Sequence, residues 1–246
     1  MILEEIKRFP IVRLIYRLPG IIKFYHFILS FLGSLFYGYP SEKLFVIGVT
    51  GTKGKTTVLE LVNSVLEEAG KKTSLISSTT IKMGDKREKN NTGNSMPGRF
   101  YLQKFLSRAV KAGSKYALIE VTSQGVDLFR HRFINWNIGL LTNIAPEHIE
   151  AHGSFERYRE SKLVFLKYVG EKKGRIFISG SDSGAGFFLR NLGEFGVKIY
   201  SRNDHDILPL LPRPYPQKEA TERAPVEFFL SEFNMDNMAA AAAVGK

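Results

Sequence analysis

The chain of 246 residues contains no cysteine. That excludes disulfides, thiolate metal sites and a cysteine nucleophile, and it fits a reducing, cytosolic setting. Internal repeats are absent too, and so is any RNA-recognition or DNA-binding motif, which sets nucleic acid aside as a partner. No small-residue cleavage site follows the apolar N-terminal run, so that run is not a cleavable signal peptide. Acidic residues are the minority sign, 24 against 35 lysines and arginines, for a formal net charge of +11. Such an excess suits anionic partners: a nucleotide, a nucleotide-sugar or an anionic membrane face. A hydrophobic fraction of 43% is ordinary for a globular chain with a sizeable core. The length accommodates one large domain, or one domain with a substantial appendage.

The stretch LFVIGVTGTKGKTT, 44–57, organises what is present. Leu44 to Val49 is short, apolar and β-branched, the pattern of a buried parallel strand. A loop with Gly51 and Gly54 follows, then Lys55, Thr56 and Thr57. From Val58 the apolar positions Leu61, Val62, Val65 and Leu66 share one helical face, ending near Gly70. Strand, glycine loop and helix start together form a phosphate cradle. Backbone N–H groups and the helix dipole face the anion, Lys55 reaches β- and γ-phosphates, and the Thr56 hydroxyl holds Mg²⁺. Val49 stands where the longer phosphate-loop pattern has its first glycine, so the motif is the shorter G-x-x-G-K-T.

Residues 1–43 differ from the rest. Ile2, Leu3, Ile6 and Phe9 mark one helical face, with Arg8, Arg13, Arg17 and Lys23 adding positive charge. Phe24 to Ser41 has no charged residue if His26 is neutral and is rich in Phe, Leu and Tyr. Gly33, Gly38, Pro40 and His26 disfavour a spanning helix at a barely sufficient length. Two readings stand side by side: a basic-aromatic helix lying on a membrane surface, or a helix packed on the main domain.

Residues 44–246 read as a second unit. Strands are expected at Thr73–Thr79, Tyr116–Val121, Ile138–Ile144, Arg175–Ser179 and Val197–Ser201, and Glu227–Ser231 is a candidate late strand. Helices are expected from Gly98 to about Lys111, with Pro97 near its first turn, from Ser154 to about Val169, and from Asn234 onward. Lys82 to Asn90 reads as a polar turn or hairpin tip around Gly84-Asp85, and the four prolines between His205 and Glu222 as an irregular excursion. The alternation predicts an α/β fold with a doubly wound, mostly parallel sheet built on the phosphate loop, preceded by the apolar-basic helical segment.

Ligands of parallel sheets collect beyond the carboxyl ends of the strands. Glu120 ends one strand there and is followed by Thr122-Ser123-Gln124. Thr142-Asn143 ends the next, followed by Glu147-His148 and His152. A carboxylate and a histidine placed this way beside a phosphate loop read as metal ligands, Glu120 and His148 foremost. His131 and His26 lack that context and read as structural or surface residues.

GTKGKTT (51–57), NTGNSMPGR (91–99), IEVTSQGVDLFR (119–130), LTNIAPEHIEAHGSFERYRESK (141–162) and FNMDN (233–237) occur in the order and spacing of the Mur ligase family. Within it the chain most resembles the UDP-N-acetylmuramoyl-tripeptide synthetases, which add the third residue of the peptidoglycan stem peptide, and the resemblance covers the central ATP-binding domain. It implies that Gly51, Thr52, Lys53, Gly54, Lys55, Thr56 and Thr57 hold the ATP phosphates, with Asn234 and Asn237 on the adenine side. It assigns Mg²⁺ to Thr56, Glu120, His148 and a carbamylated Lys162, and catalysis to Lys55, His148 and Lys162. It assigns the grip on a UDP-muramoyl-peptide to Thr92, Thr122 and Arg130. The implied reaction is phosphorylation of that substrate's carboxylate by ATP, then attack on the acyl phosphate by an amino acid's amine. The setting is cytoplasmic, with the inner membrane face available to residues 1–43.

The sequence departs from the family in places. Gln124 replaces a histidine, Glu147 and Glu150 replace aspartates, the uridine-binding N-terminal domain is missing, and the C-terminal ligase domain lies outside the chain. The sequence is therefore read as a fragment or as a reduced ligase working with a separate C-terminal partner. Two alternatives stay open: a nucleotide-binding module without ligase activity, and a ligase of the folylpolyglutamate or cyanophycin synthetase kind.

Overall fold

The computed structural model describes residues 19–98, 100–146, 154–201 and 232–245. After helix α1 (Pro19–Phe36) and a short 3₁₀ turn at Pro40–Lys43 come β1 (Phe45–Thr50), α2 (Lys55–Glu68), β2 (Thr73–Ile76), β3 (Thr80–Met83) and β4 (Lys86–Lys89). Then follow α3 (Phe100–Lys111), β5 (Tyr116–Glu120), α4 (Ser123–Asp127), β6 (Trp136–Leu141) and α5 (Phe155–Glu171). β7 (Arg175–Ser179), α6 (Ala185–Leu192), β8 (Lys198–Tyr200) and α7 (Glu232–Gly245) complete the described elements.

The eight strands form one sheet in the order β4-β3-β2-β5-β1-β6-β7-β8. β2, β5, β1, β6, β7 and β8 pair in parallel, and the β3–β4 hairpin adds an antiparallel edge. The expected fold class holds. β1 lies centrally because it is apolar on both faces: Ile47 and Val49 pack into one layer and Val46 into the other. The first layer holds α2 and the buried alanines of α7, and the second holds α3, α5 and α6. Gly48 is required where β1 meets α5. A Cβ there would sit 2.5 Å from Phe165 Cζ and 2.7 Å from Trp136 Cζ3, two rings that meet edge to face.

Several boundaries shift for identifiable reasons. β6 stops at Leu141 instead of running to Ile144, because the side chains of Thr142 and Asn143 turn to bond the phosphate loop. β2 stops at Ile76, and the chain bends at Ser78 and Thr79, with Ser78 beside Glu120. Only Gly84-Asp85 is the hairpin tip: Lys82 lies inside β3, buried, and pairs with Glu67 at 2.6 Å while donating to Thr73 Oγ1 at 2.9 Å. α3 begins at Phe100, leaving Pro97 outside it. α4 and α6 are short and were not legible from periodicity. The excursion at 205–222 and the strand expected at 227–231 lie outside the described residues.

α1 packs on the outside of the α3 layer. Phe27 meets Phe129 and Phe133, Phe31 meets Phe133, and Phe36 and Tyr37 meet Phe100, all edge to face. Phe129 and Phe133 both have positive φ, 54° and 59°, an uncommon conformation for bulky residues that this aromatic cluster holds in place. One side of α1 thus packs on the domain.

Candidate active site

The site grows out of the β1–α2 connection. Gly51 has φ 148°, and a Cβ there would fall 1.9 Å from Thr142 Oγ1, so only glycine lets the two loops touch. The loop after β6 then braces the phosphate loop. Thr52 N donates to Asn143 O at 3.0 Å, Lys53 N to Asn143 Oδ1 at 2.9 Å, and Thr142 Oγ1 to Lys53 O at 2.7 Å. Gly54, with φ 80°, is the N-cap of the 14-residue α2, whose first N–H groups open onto the site.

Two lysine side-chain nitrogens converge on one carbonyl. Lys55 Nζ donates to Gly51 O at 3.0 Å and to Thr52 O at 2.8 Å, and Lys162 Nζ donates to the same Gly51 O at 3.0 Å. Lys162 projects inward from α5, is 1% exposed, and lies 4.1 Å from the centre of the Tyr158 ring. Burial holds its pKa well below the ordinary lysine value, and the Lys55 charge lowers it further.

Glu120 sits at the end of β5, buried. Its Oε2 accepts from Thr56 Oγ1 at 2.8 Å and from Ser78 N at 2.9 Å, and Ser78 Oγ lies 2.9 Å from Thr56 Oγ1. Sequence reasoning missed Ser78. The β-rich run TSLISST hid the bend, and the only available signal was a serine pair at the carboxyl end of a parallel strand. Gly51, Lys55, Ser95, Glu120, Thr122, Ser123, Gln124, Tyr158 and Lys162 line one cavity of about 240 Å³.

The Glu120 carboxylate on the wall of this cavity and the Thr56 hydroxyl bonded to it are hard oxygen donors. They suit Mg²⁺, which typically takes one or two protein oxygens, phosphate oxygens and water. Among the described residues no group of three His, Asp or Glu side chains forms a metal cluster. His148 lies outside the described residues, as do Glu147, Glu150 and His152.

A family model, the Mur ligase middle domain, matches residues 49–245. This chain belongs to the Mur ligase family. It is 37% identical over 158 residues to the UDP-N-acetylmuramoyl-L-alanyl-D-glutamate–2,6-diaminopimelate ligase of Chlamydia caviae, a match covering 64% of this chain and 32% of that one. The ligase of the same name from Bacillus velezensis is 29% identical over 234 residues, covering 88% of this chain and 46% of that one. A solved ligase of this name superposes with a TM-score of 0.55 at 24% identity, over 64% of this chain and 31% of the other. The chain thus spans a third to just under a half of these relatives.

The Mur motifs distribute unevenly over this geometry. Lys55, Thr56, Glu120, Thr122 and Lys162 come together at the cavity. Thr122 Oγ1 caps α4, accepting from Gly125 N at 3.1 Å. Arg130 reaches back to donate from Nη1 to Met96 O and lies under Gly98, where a Cβ would come 2.8 Å from its Nε. Arg130 thereby fixes the loop that carries Ser95 into the cavity. Thr92 is tied up locally, donating to Asn90 Oδ1 at 2.6 Å and accepting from Asn94 N. Asn237 is apart from the cavity, on α7, buried, and its Nδ2 has no hydrogen-bond partner among the described residues. Asn234 lies in the same helix, one turn earlier. Gln124 lines the cavity, so its replacement of a histidine alters the wall itself. His131 is fully buried against the Tyr168 ring, 5.3 Å between centres, in keeping with a structural role.

Proposed function

We propose that this chain is the central, ATP-binding part of an acid–amino-acid ligase of peptidoglycan precursor synthesis. In that reading ATP phosphorylates a UDP-muramoyl-peptide carboxylate, and the acyl phosphate is then attacked by an amino acid's amine. The observation that carries it is the convergence of Lys55 and Lys162 on Gly51 O, across a small cavity from the Glu120–Thr56 pair. Phosphoryl transfer requires positioning and charge neutralisation more than covalent help, and this cavity offers both.

Each residue has a distinct task. The N–H groups opening α2 and the Lys55 ammonium hold the β- and γ-phosphates. Glu120 and Thr56 would hold Mg²⁺, with His148 a further ligand, and the ion would supply charge neutralisation at the transferred phosphoryl group. Asn237 Nδ2, a buried donor lacking an acceptor among the described residues, suits a purine ring nitrogen, with Asn234 beside it on the same helix. Thr122, Arg130 and Thr92 serve the muramoyl-peptide: Thr122 from the cavity wall, Arg130 and Thr92 through the 90–98 loop. Lys162 acts as a carbamate. Its lowered pKa favours the neutral amine, whose lone pair adds to CO₂ as one proton leaves, turning that amine into a two-oxygen anion. The amino acid, the amine-donor site and a C-terminal ligase domain or subunit complete the reaction from outside this chain. The protein works in the cytoplasm, peripheral to the inner face of the membrane.

Hydroxylamine trapping tests this. Given ATP, Mg²⁺ and UDP-muramoyl-dipeptide, with a C-terminal ligase domain supplied, the chain should yield hydroxamate. Lys162→Ala should yield none while still binding ATP, and acetate should restore part of the yield. Wild-type hydroxamate yield from Lys162→Ala would remove the carbamate. A chain that binds ATP and never yields hydroxamate would be a nucleotide-binding module.

A further inference from the structure

α1 is built inside out. Its buried positions are Ser30, Gly33 and Ser34, with Phe27 beside them against Phe129 and Phe133. Its exposed apolar positions are Ile21, Phe24, Tyr25, Phe31, Leu32, Leu35 and Phe36, and among them Phe24 is 65% and Phe36 75% exposed. At roughly 100° per residue these seven side chains fall within an arc of about 140°. That is the width of a face buried against a broad surface, wider than the two-position seam of a coiled coil. A water-facing helix places small and polar residues outward. Small residues turned to the protein and large apolar ones turned away are the pattern of a helix whose outer medium is lipid.

Charge selects which surface. No acidic residue occurs from Ile6 to Ser41, while Lys7, Arg8, Arg13, Arg17 and Lys23 fall within that span. Such a basic stretch beside an apolar-aromatic face matches anionic headgroups above acyl chains. Spanning does not fit: no described helix is long and apolar enough to cross a membrane, and one side of α1 is already occupied by protein.

We propose that the outer face of α1 docks on an anionic lipid surface, the helix lying in the plane of the interface with Phe24, Leu32, Leu35 and Phe36 among the acyl chains. This rests on the peripheral placement above and is independent of the ligase chemistry. α1 buries its inner face on Phe129 and Phe133, which flank Arg130, so docking sets the substrate loop at a fixed height from the membrane.

The test uses the full chain and phosphatidylcholine vesicles with or without phosphatidylglycerol. Wild type should sediment with the phosphatidylglycerol vesicles and more weakly with pure phosphatidylcholine. Leu32→Glu combined with Leu35→Glu should weaken partitioning about tenfold or more with an unchanged melting temperature, since both side chains leave the acyl region. Phe24→Trp should show blue-shifted emission on binding, quenched by brominated lipid. If the double variant partitions like wild type, residues 1–18 make the contact and the α1 assignment is wrong. If wild type ignores both vesicle types, the peripheral placement falls as well, while hydroxamate formation is unaffected. If wild type instead self-associates and the double variant disperses it, the face belongs to a second copy and the lipid proposal is overturned.

Discussion

The phosphate-loop end of the sheet and the N-terminal helix break the same rule in opposite directions. At the first, an ionisable side chain, Lys162, is folded almost completely inside, across one cavity from the buried Glu120. At the second, large apolar side chains are turned out from a helix that buries Ser30 and Ser34. α3, which lies between α1 and the sheet, obeys the rule: Leu102, Phe105, Leu106 and Ala109 face inward, and Lys104, Arg108 and Lys111 face out. Each exception has its proposed answer: carbamylation and a bound ion would give the buried amine a use, and lipid would cover the apolar face.

His131 sharpens the first half, because it is an inward ionisable group with no ligand chemistry around it. Burial lowers its pKa from 6.5 to about 3, and neighbouring Arg132 adds to the shift. The folded state therefore binds fewer protons than the unfolded state between those values, so stability is intact above about pH 6.5 and falls on acidification. The slope reaches about 1.4 kcal/mol per pH unit, the largest effect expected here. In denaturant melts from pH 7 to pH 4, wild type should lose stability relative to His131→Phe as the pH falls. Parallel curves would show that His131 is not the group.

Lys162 gives the next effect, with the same sign in a different window. Its folded pKa lies below the ordinary 10.5, so the ligand-free protein gains stability as pH rises from that lowered value toward 10.5. Lys162→Met should accordingly be the more stable protein at neutral pH by about 1–3 kcal/mol, with the gap closing toward pH 10. A destabilised Lys162→Met would mean that the bond to Gly51 O outweighs the cost of burial. Gly48→Ala probes the conventional core for contrast: overpacking against Phe165 and Trp136 should cost about 1–3 kcal/mol in chemical denaturation. The smallest effect is expected from Leu32→Ser with Leu35→Ser, within about 0.5 kcal/mol in lipid-free buffer, because neither side chain supports the fold. A loss of several kcal/mol would place that face inside the protein.

The sequence made one of these two regions far more legible than the other. β1, its glycine loop and α2 could be read because an apolar run, two glycines and a Lys-Thr pair each have one physical use in that order. Glu120 was legible as a strand-end carboxylate. Ser78 was not, because a serine in a β-rich run looks like strand until the bend is seen. Lys162 reads as one more charge on a helix that already carries Glu156, Arg157, Arg159 and Glu160, and only the resemblance singled it out. α1 is the opposite case. From Phe24 to Ser41 no charged side chain marks a polar stripe, so periodicity was silent about which face turns inward. Ser30, Gly33 and Ser34 give the answer only once Phe100 is known to lie by Gly33, and Phe129 and Phe133 against Phe27.

The central claim is that the cavity between α2 and α5 receives a magnesium nucleotide's phosphates on Lys55. Calorimetric titration of ATP with Mg²⁺ tests it most directly. Wild type should bind, and Lys55→Ala, with its fold intact by circular dichroism, should bind on the order of a hundredfold more weakly, the worth of a charge-assisted contact to phosphate. Equal affinity for wild type and Lys55→Ala would contradict the account.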